Sequence, residues 1–334
     1  EILEKAGVKR IYGIVGDSLN PVTDALRRRK TIEWIHVRHE EVAAFAASAE
    51  AQLSGNLAVC CGSSGPGNLH LINGLFDAHR NHAPVLAIAS HIPQSQVGME
   101  YFQATHPEQL FKECSAYAEL VSEASQAPSI LMSAIQHAWA RRDVGVVVLP
   151  GDIAAAPAEM KNLVHPPAYT RENVVPEHES VSLLARMLDD HRRITFFCGA
   201  GCAGAEDKVV RLAHRLKAPI AYTWRGKDYF EHDNPLGIGM TGLLGWGDAY
   251  KAMHESDMLV LWGTDFPYFN FIPTKPEIVQ IDRRGEVLGR RCRLDLGICG
   301  DVSVTAEALL NMVQEKTDSG HLDAALKRHA RDVK

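Results

Sequence analysis

The sequence predicts an α/β protein built from two doubly wound parallel-sheet domains, and three observations predict it. Short apolar runs alternate with segments of helical period along both halves of the chain, the pattern of strand–helix–strand units. Several runs, residues 57–62 among them, are apolar at nearly every position, as a strand is when helices cover both faces of its sheet. The chain has 334 residues, enough for two domains that each bury a core of their own.

Taken in order, residues 11–16 form a short apolar strand ending in Gly-Asp-Ser, and Asn20-Pro21 opens a helix, proline being favoured at a first helical position. Strands are predicted over 32–37, 57–62, 84–90 and 145–149, with helices from 40 to about 53, from the 63–68 turn through 82, and near 127–142. Pro157, Pro166, Pro167 and Pro176 then interrupt any long element, which marks a linker. The second half begins with a helix over 179–190 and continues with strands over 194–198, 219–223, 258–263, 278–281 and a brief one in 294–299. The domains are therefore 1–152 and 178–316, with 153–177 as the linker and 317–334 as the start of another.

Lys+Arg 35 against Asp+Glu 41 gives a net charge of -6, which argues against nucleic acid or an anionic membrane surface as the main partner. No apolar run approaches the length needed to cross a bilayer. The seven cysteines are odd in number and several lie in strand-like runs, so free thiols in a reducing cytoplasm are expected.

Two stretches of the first half carry chemistry. The strand at 32–37 delivers Glu40 and Glu41 to a helix start, which places them at the carboxyl edge of a sheet, where open α/β sheets hold ligands. Alone, these acids are better read as favouring the positive end of a helix dipole, because first-turn acids are common. His39-Glu40 would begin an HExxH zinc helix, but position 43 is Ala. In Ser63-Ser64-Gly65-Pro66-Gly67-Asn68, glycines let backbone approach a ligand closely, and the helix that follows offers unpaired N–H groups. A plain strand-to-helix turn has the same composition. The loop with Phe102 and Gln103 adds an aromatic ring and an amide.

In the second half, Gly199-Ala200-Gly201-Cys202-Ala203-Gly204 follows a strand and precedes a helix as a literal GxGxxG. The acid expected about 20 residues later is missing, and Arg225 stands near that place, which disfavours NAD and leaves NADP open. Thr264-Asp265-Phe266-Pro267-Tyr268 and Asp282 close later strands. An acid there suits a ribose or adenine contact, or a solvated turn.

The order strand–Arg38-His39-Glu40-Glu41–helix, strand–Ser63 to Asn68–helix, then the Phe102-Gln103 loop resembles the pyrimidine-binding domain of thiamine-diphosphate-dependent enzymes. Within that family, the run from His39 to Ala47 and the segment from Ser64 to Pro93 most resemble pyruvate oxidase, specifically the pyruvate:quinone oxidoreductases, and the resemblance covers essentially the whole chain. It implies that Glu40 hydrogen-bonds N1′ of the aminopyrimidine while Glu41 is a bystander, that Gly65, Pro66, Gly67 and Asn68 line that ring, and that Phe102 and Gln103 lie beside the thiazolium and substrate. A carboxyl sharing its proton with N1′ favours the tautomer whose 4′ nitrogen takes the C2 proton, and the apolar neighbours Val42, Ala43, Ala44 and Phe45 would help it hold that proton. The resemblance also implies FAD contacts at Thr241, Gly242, Leu243, Leu244, Thr264, Asp265, Phe266, Pro267, Tyr268 and Asp282, with Arg225, Gly199 and Gly201 at the diphosphate.

The implied reaction is oxidative decarboxylation of pyruvate to acetate and CO₂, with electrons passing through FAD to a quinone, in a cytoplasmic homodimer or homotetramer. The family holds its diphosphate through Mg²⁺ with a GDG motif and an Asn-Asn pair about 25–30 residues later, oxygen ligands suited to a hard cation. This sequence has no GDG. The Mg²⁺ ligands and any peripheral contact with the inner face of the cell membrane are therefore expected in a further C-terminal part, and the 334-residue chain alone is expected to be inactive. Two alternatives stand beside this: an acetolactate-synthase-like ligase, and a non-catalytic nucleotide-binding module.

Overall fold

The computed structural model describes residues 1–157, 173–245 and 247–332. The chain divides into two compact units, Glu1–Arg171 and Glu172–Lys334. The first unit runs α1 (Ile2–Lys5), β1 (Arg10–Gly13), α2 (Asn20–Arg29), β2 (Glu33–His36), α3 (Glu40–Ser54), β3 (Ala58–Gly62) and α4 (Pro66–Arg80). It continues with β4 (Val85–His91), α5 (Pro107–Leu110), β5 (Tyr117–Leu120), α6 (Ala127–Arg141), β6 (Val144–Pro150) and α7 (Gly151–Ala155). Its six strands are all parallel in the order β2-β1-β3-β4-β6-β5.

Alternate residues of the central strands feed two separate cores. Ala58, Cys60, Val85, Ala87, Val144 and Val146 pack with α3 and α4, while Val59, Cys61, Leu86, Ile88 and Val147 pack with α6. That division is why these strands are apolar throughout rather than alternating. The order reverses between β1 and β3, and the crevice of such a sheet opens at the carboxyl ends flanking that point.

The second unit runs α8 (His178–Asp190), β7 (Ile194–Cys198), α9 (Glu206–Leu216), β8 (Ile220–Tyr222), α10 (Lys227–Phe230), β9 (Gly237–Met240) and α11 (Gly247–Glu255). Then follow β10 (Met258–Trp262), β11 (Glu277–Asp282), β12 (Leu296–Cys299), α12 (Val302–Leu310) and α13 (Gly320–Asp332). The parallel order β12-β11-β10-β7-β8-β9 is the doubly wound arrangement whose switch point lies between β7 and β10. Phe196, Val260 and Ile281 face α8, α9 and α12, and Phe197, Leu259 and Leu261 face α11 and α13.

Several features depart from expectation, helices α11 and α12 among them. Strands β5 and β9 were not foreseen: the first is a four-residue edge strand carrying Glu119, and the second holds two glycines, both weak β signals. The stretch 317–334, expected to begin a linker, contains α13 instead. Its Leu322 and Ala325 are buried and Leu326 packs beside them, at the three- and four-residue spacing of one helix face. The first strand ends at Gly13 rather than 16. Most of the expected 153–177 linker lies outside the described residues. All seven cysteines are free, and among the described residues no helix is long and apolar enough to cross a membrane.

Candidate functional site

Strand β2 ends at His36, and His39 caps α3 by accepting the Glu41 N–H on Nδ1 at 3.3 Å. Glu40 is thereby the first helical residue and turns inward, 7% exposed. It is held there because α3 lies close against α4: a methyl on Gly74 would fall 2.5 Å from Ala44 Cβ and 2.7 Å from the Phe45 nitrogen. Glu41 lies outside and accepts the Asn73 amide.

The turn before α4 completes the site. Gly65 adopts φ 70°, a region that favours glycine. A methyl on Gly67 would lie 2.8 Å from Ser63 Oγ and 3.1 Å from Glu40 Oε1, so this glycine keeps open the space beside one carboxyl oxygen. The other oxygen, Oε2, is 3.0 Å from His70 Nδ1. Asn68 is fully buried and its amide donates to the Ser90 carbonyl at 2.6 Å, while its Oδ1 has no hydrogen-bond partner among the described residues. Ser64 N–H donates to Ser18 Oγ at 3.0 Å, and the Ser64 hydroxyl donates to Gln103 Oε1 at 3.1 Å. The loop bearing Gln103 thus sits on the glycine turn, whereas Phe102 is 82% exposed. His39, Glu40 and His70 bring three ligand atoms within 4.8 Å of one another, but the imidazole–carboxylate hydrogen bond already joins two of them.

At the carboxyl edge of the second sheet, the GxGxxG turn is spent on packing. Gly199 N–H donates to the Trp262 carbonyl and Gly201 N–H to the Gly263 carbonyl, each at 2.9 Å. A methyl on Gly199 would lie 2.5 Å from Thr264 Cβ. Helix α9 begins only at Glu206, and Glu206 Oε1 accepts the Gly204 N–H at 2.9 Å, so that helix start already faces a carboxylate. Thr241 and Thr264 are buried beside this edge. Gly242, at φ 112°, brings the 241–245 turn against Phe266 and Tyr268. Leu243, Leu244, Trp224 and Phe269 remain exposed there.

Asp265 is clasped by Arg290 at 3.0 Å and Arg291 at 3.1 Å. Burial pushes the Asp282 carboxyl above its ordinary range, opposed by the Arg284 N–H that it accepts at 3.0 Å. Gln280 ties the Thr264 carbonyl to the Gly289 N–H, with 3.0 Å at each end.

Of the residues singled out in the sequence, Glu40, Gly65, Gly67, Asn68 and Gln103 meet around one turn, and Thr241, Gly242, Phe266 and Tyr268 meet at the other edge. The N–H groups of Gly199 and Gly201 are taken by backbone. His70, Arg290 and Arg291 escaped the sequence reading. His70 lies three residues past Gly67, on the same face of α4, which was the available signal for it.

Two parallel sheets, each carrying buried polar side chains at a carboxyl edge, define a protein of the doubly wound α/β class. Residues 1–111 match the thiamine pyrophosphate enzyme N-terminal TPP binding domain, and residues 181–309 match the thiamine pyrophosphate enzyme central domain. The chain is 57% identical over 327 residues to an "Uncharacterized 42.6 kDa protein in isoamylase 3'region" of Pseudomonas amyloderamosa, covering 98% of this chain and 83% of that protein. It is 34% identical to YdaP of Bacillus subtilis (strain 168), over 97% of this chain and 57% of YdaP. It is 32% identical to the pyruvate oxidase of Lactiplantibacillus plantarum, over 95% of this chain and 53% of that enzyme. The chain therefore spans little more than half the length of these last two relatives. It belongs to the thiamine pyrophosphate enzyme family.

Proposed function

We propose that the chain serves the oxidative decarboxylation of pyruvate to acetate and CO₂, with thiamine diphosphate at the first sheet edge, FAD at the second and a quinone as electron acceptor. The observation that carries this reading is Glu40: a buried carboxyl with one oxygen on His70 and the other beside the space that Gly67 leaves open. A family relative named pyruvate oxidase supports the choice of reaction.

Thiamine diphosphate, when bound, supplies an electron sink for the decarboxylated substrate. The chain's residues do the rest. Glu40 holds and moves a proton at N1′ of the pyrimidine. Gly65, Pro66, Gly67 and Asn68 admit the ring, the orphan Asn68 Oδ1 being a buried acceptor in want of a donor. Gln103 and Phe102 meet the substrate side. For FAD, Thr241, Gly242, Leu243, Leu244, Thr264, Phe266, Pro267 and Tyr268 would form the contact surface, and Asp282 would accept from the ribose. Asp265 acts by fixing Arg290 and Arg291. Gly199 and Gly201, by lacking side chains, let their turn pack against Gly263 and Thr264 at this edge, and Arg225 would supply charge toward the diphosphate. Mg²⁺ would be held by oxygen ligands outside this chain, and the working unit is a homodimer or homotetramer. An acetolactate-synthase-like reaction is separated from this one by product: acetate supports the proposal and acetolactate overturns it.

The test is Glu40→Gln, which can still hydrogen-bond but cannot share a proton. Hydrogen–deuterium exchange at C2 of thiamine bound to the full-length protein should slow by roughly 10²–10⁴-fold, and Glu41→Gln should leave it near the parent rate. The reverse pattern would mean that the wrong acid has been placed at N1′.

A further inference from the structure

Glu40 has a problem of access. Its carboxyl is buried between α3 and α4, and a group that gives and takes a proton must exchange it with something. We propose that His70 is a positioning residue that also relays protons between solvent and Glu40. The inference rests on the reading that Glu40 works on thiamine N1′.

The geometry assigns each nitrogen a part. His70 Nδ1 lies 3.0 Å from Glu40 Oε2, and a carboxylate there makes Nδ1 the protonated nitrogen. Among the described residues, Nε2 has no hydrogen-bond partner, and the side chain is 44% exposed against 9% for that of Glu40. One end of the ring thus touches the buried acid while the side chain reaches water. The His39 ring stacks on it at 4.2 Å with planes 27° apart, which limits its rotation. The neighbouring titratable groups are engaged elsewhere: His39 Nδ1 accepts the Glu41 N–H, and Glu41 accepts the Asn73 amide.

The transfer balances without any other reagent. Hydronium from the solvent delivers a proton to Nε2 and leaves as water, the Nδ1 proton passes to Glu40 Oε2, and the acid becomes neutral while the ring is left as its Nε2–H tautomer. The reverse sequence returns the carboxylate. Glu40 Oε1 stays on the cofactor side throughout.

The test separates the relay from a structural role and from the proposed function. In the 334-residue chain without cofactor, two-bond ¹H–¹⁵N correlation of the histidine rings should show neutral His70 as the Nδ1–H tautomer, and Glu40→Ala should abolish that preference. A His70 tautomer that is the same in the parent chain and in Glu40→Ala overturns the proposal whatever Glu40 does in catalysis. In the full-length protein, His70→Asn keeps a donor toward Glu40 but has no second ring nitrogen. C2 exchange should fall by on the order of 10²-fold, and in His70→Ala it should recover as imidazole is added. Parent-like exchange in His70→Asn, or slow exchange in His70→Ala that imidazole leaves unchanged, overturns the relay. Failure of Glu40→Gln to slow exchange would overturn the proposed function instead.

Discussion

At the scale of single residues, the first site depends on an absent methyl. Gly67→Ala would drive a carbon to 2.8 Å from Ser63 Oγ and 3.1 Å from Glu40 Oε1, so the serine or the carboxylate must move. We expect a stability loss of about 1–3 kcal/mol from overpacking, read by denaturant titration, together with weakened thiamine diphosphate binding. Asp282 gives a pH prediction. Burial raises its folded-state pKa above 3.8, so folding favours the protonated form. That contribution is full below the ordinary pKa and is lost as pH rises through the raised one. Asp282→Asn should therefore gain denaturant resistance over the parent at neutral pH, with the gap closing toward pH 4, while FAD binding weakens. Glu40 was legible in the sequence because strand, acid and helix start are contiguous. His70 and Arg290 were not, because each meets its carboxylate across 25 residues or more, and only helix and loop packing decides such meetings.

At the scale of elements, the α3–α4 pair sets the site. Gly74→Ala puts a methyl 2.7 Å from the Phe45 backbone nitrogen, which a side-chain rotation cannot relieve. A loss of about 1–3 kcal/mol is expected, with weaker thiamine diphosphate binding because Glu40 begins the displaced helix. These helices were readable from their periodicity and caps, whereas α13 was obscured by its charge and β9 by its glycines. Helix α13 carries its own pH dependence. His321 Nε2 lies 2.9 Å from Thr195 Oγ1, whose hydroxyl donates to the Ala252 carbonyl, so the imidazole is the donor. Burial, helped by Arg193 and Arg328 and opposed by Glu255 and Asp257, lowers its pKa below 6.5. The neutral form is favoured in the fold, so this stabilisation is present above the unfolded pKa and is lost as pH falls through the lowered value. Amide exchange in α13, corrected for intrinsic rates, should be faster at about pH 5 than at neutral pH. His321→Gln should remove most of that difference.

At the scale of the whole molecule, the outer face of the α3–α4 pair is left apolar. Val42 is 51% exposed, Phe45 40% and Leu53 88% on α3, and Leu69 is 45% exposed on α4. On α3 these positions recur at three and eleven residues from Val42, with Ala46 and Ala49 between them, so they share one stripe. Scattered exposed leucines need no explanation, but a continuous apolar stripe on a helix pair marks an interaction surface. It lies on the face of α3 opposite the buried Glu40, and the oligomer proposed above would cover it with the same stripe of a second copy, an isologous contact. Sedimentation should therefore find the chain self-associated at micromolar concentration. Phe45→Glu, which sets a charge in the middle of the stripe, should shift it to monomer while leaving the helix content unchanged. A parent chain that sediments only as monomer, or a Phe45→Glu variant that associates as strongly as the parent, would remove this face from the interface.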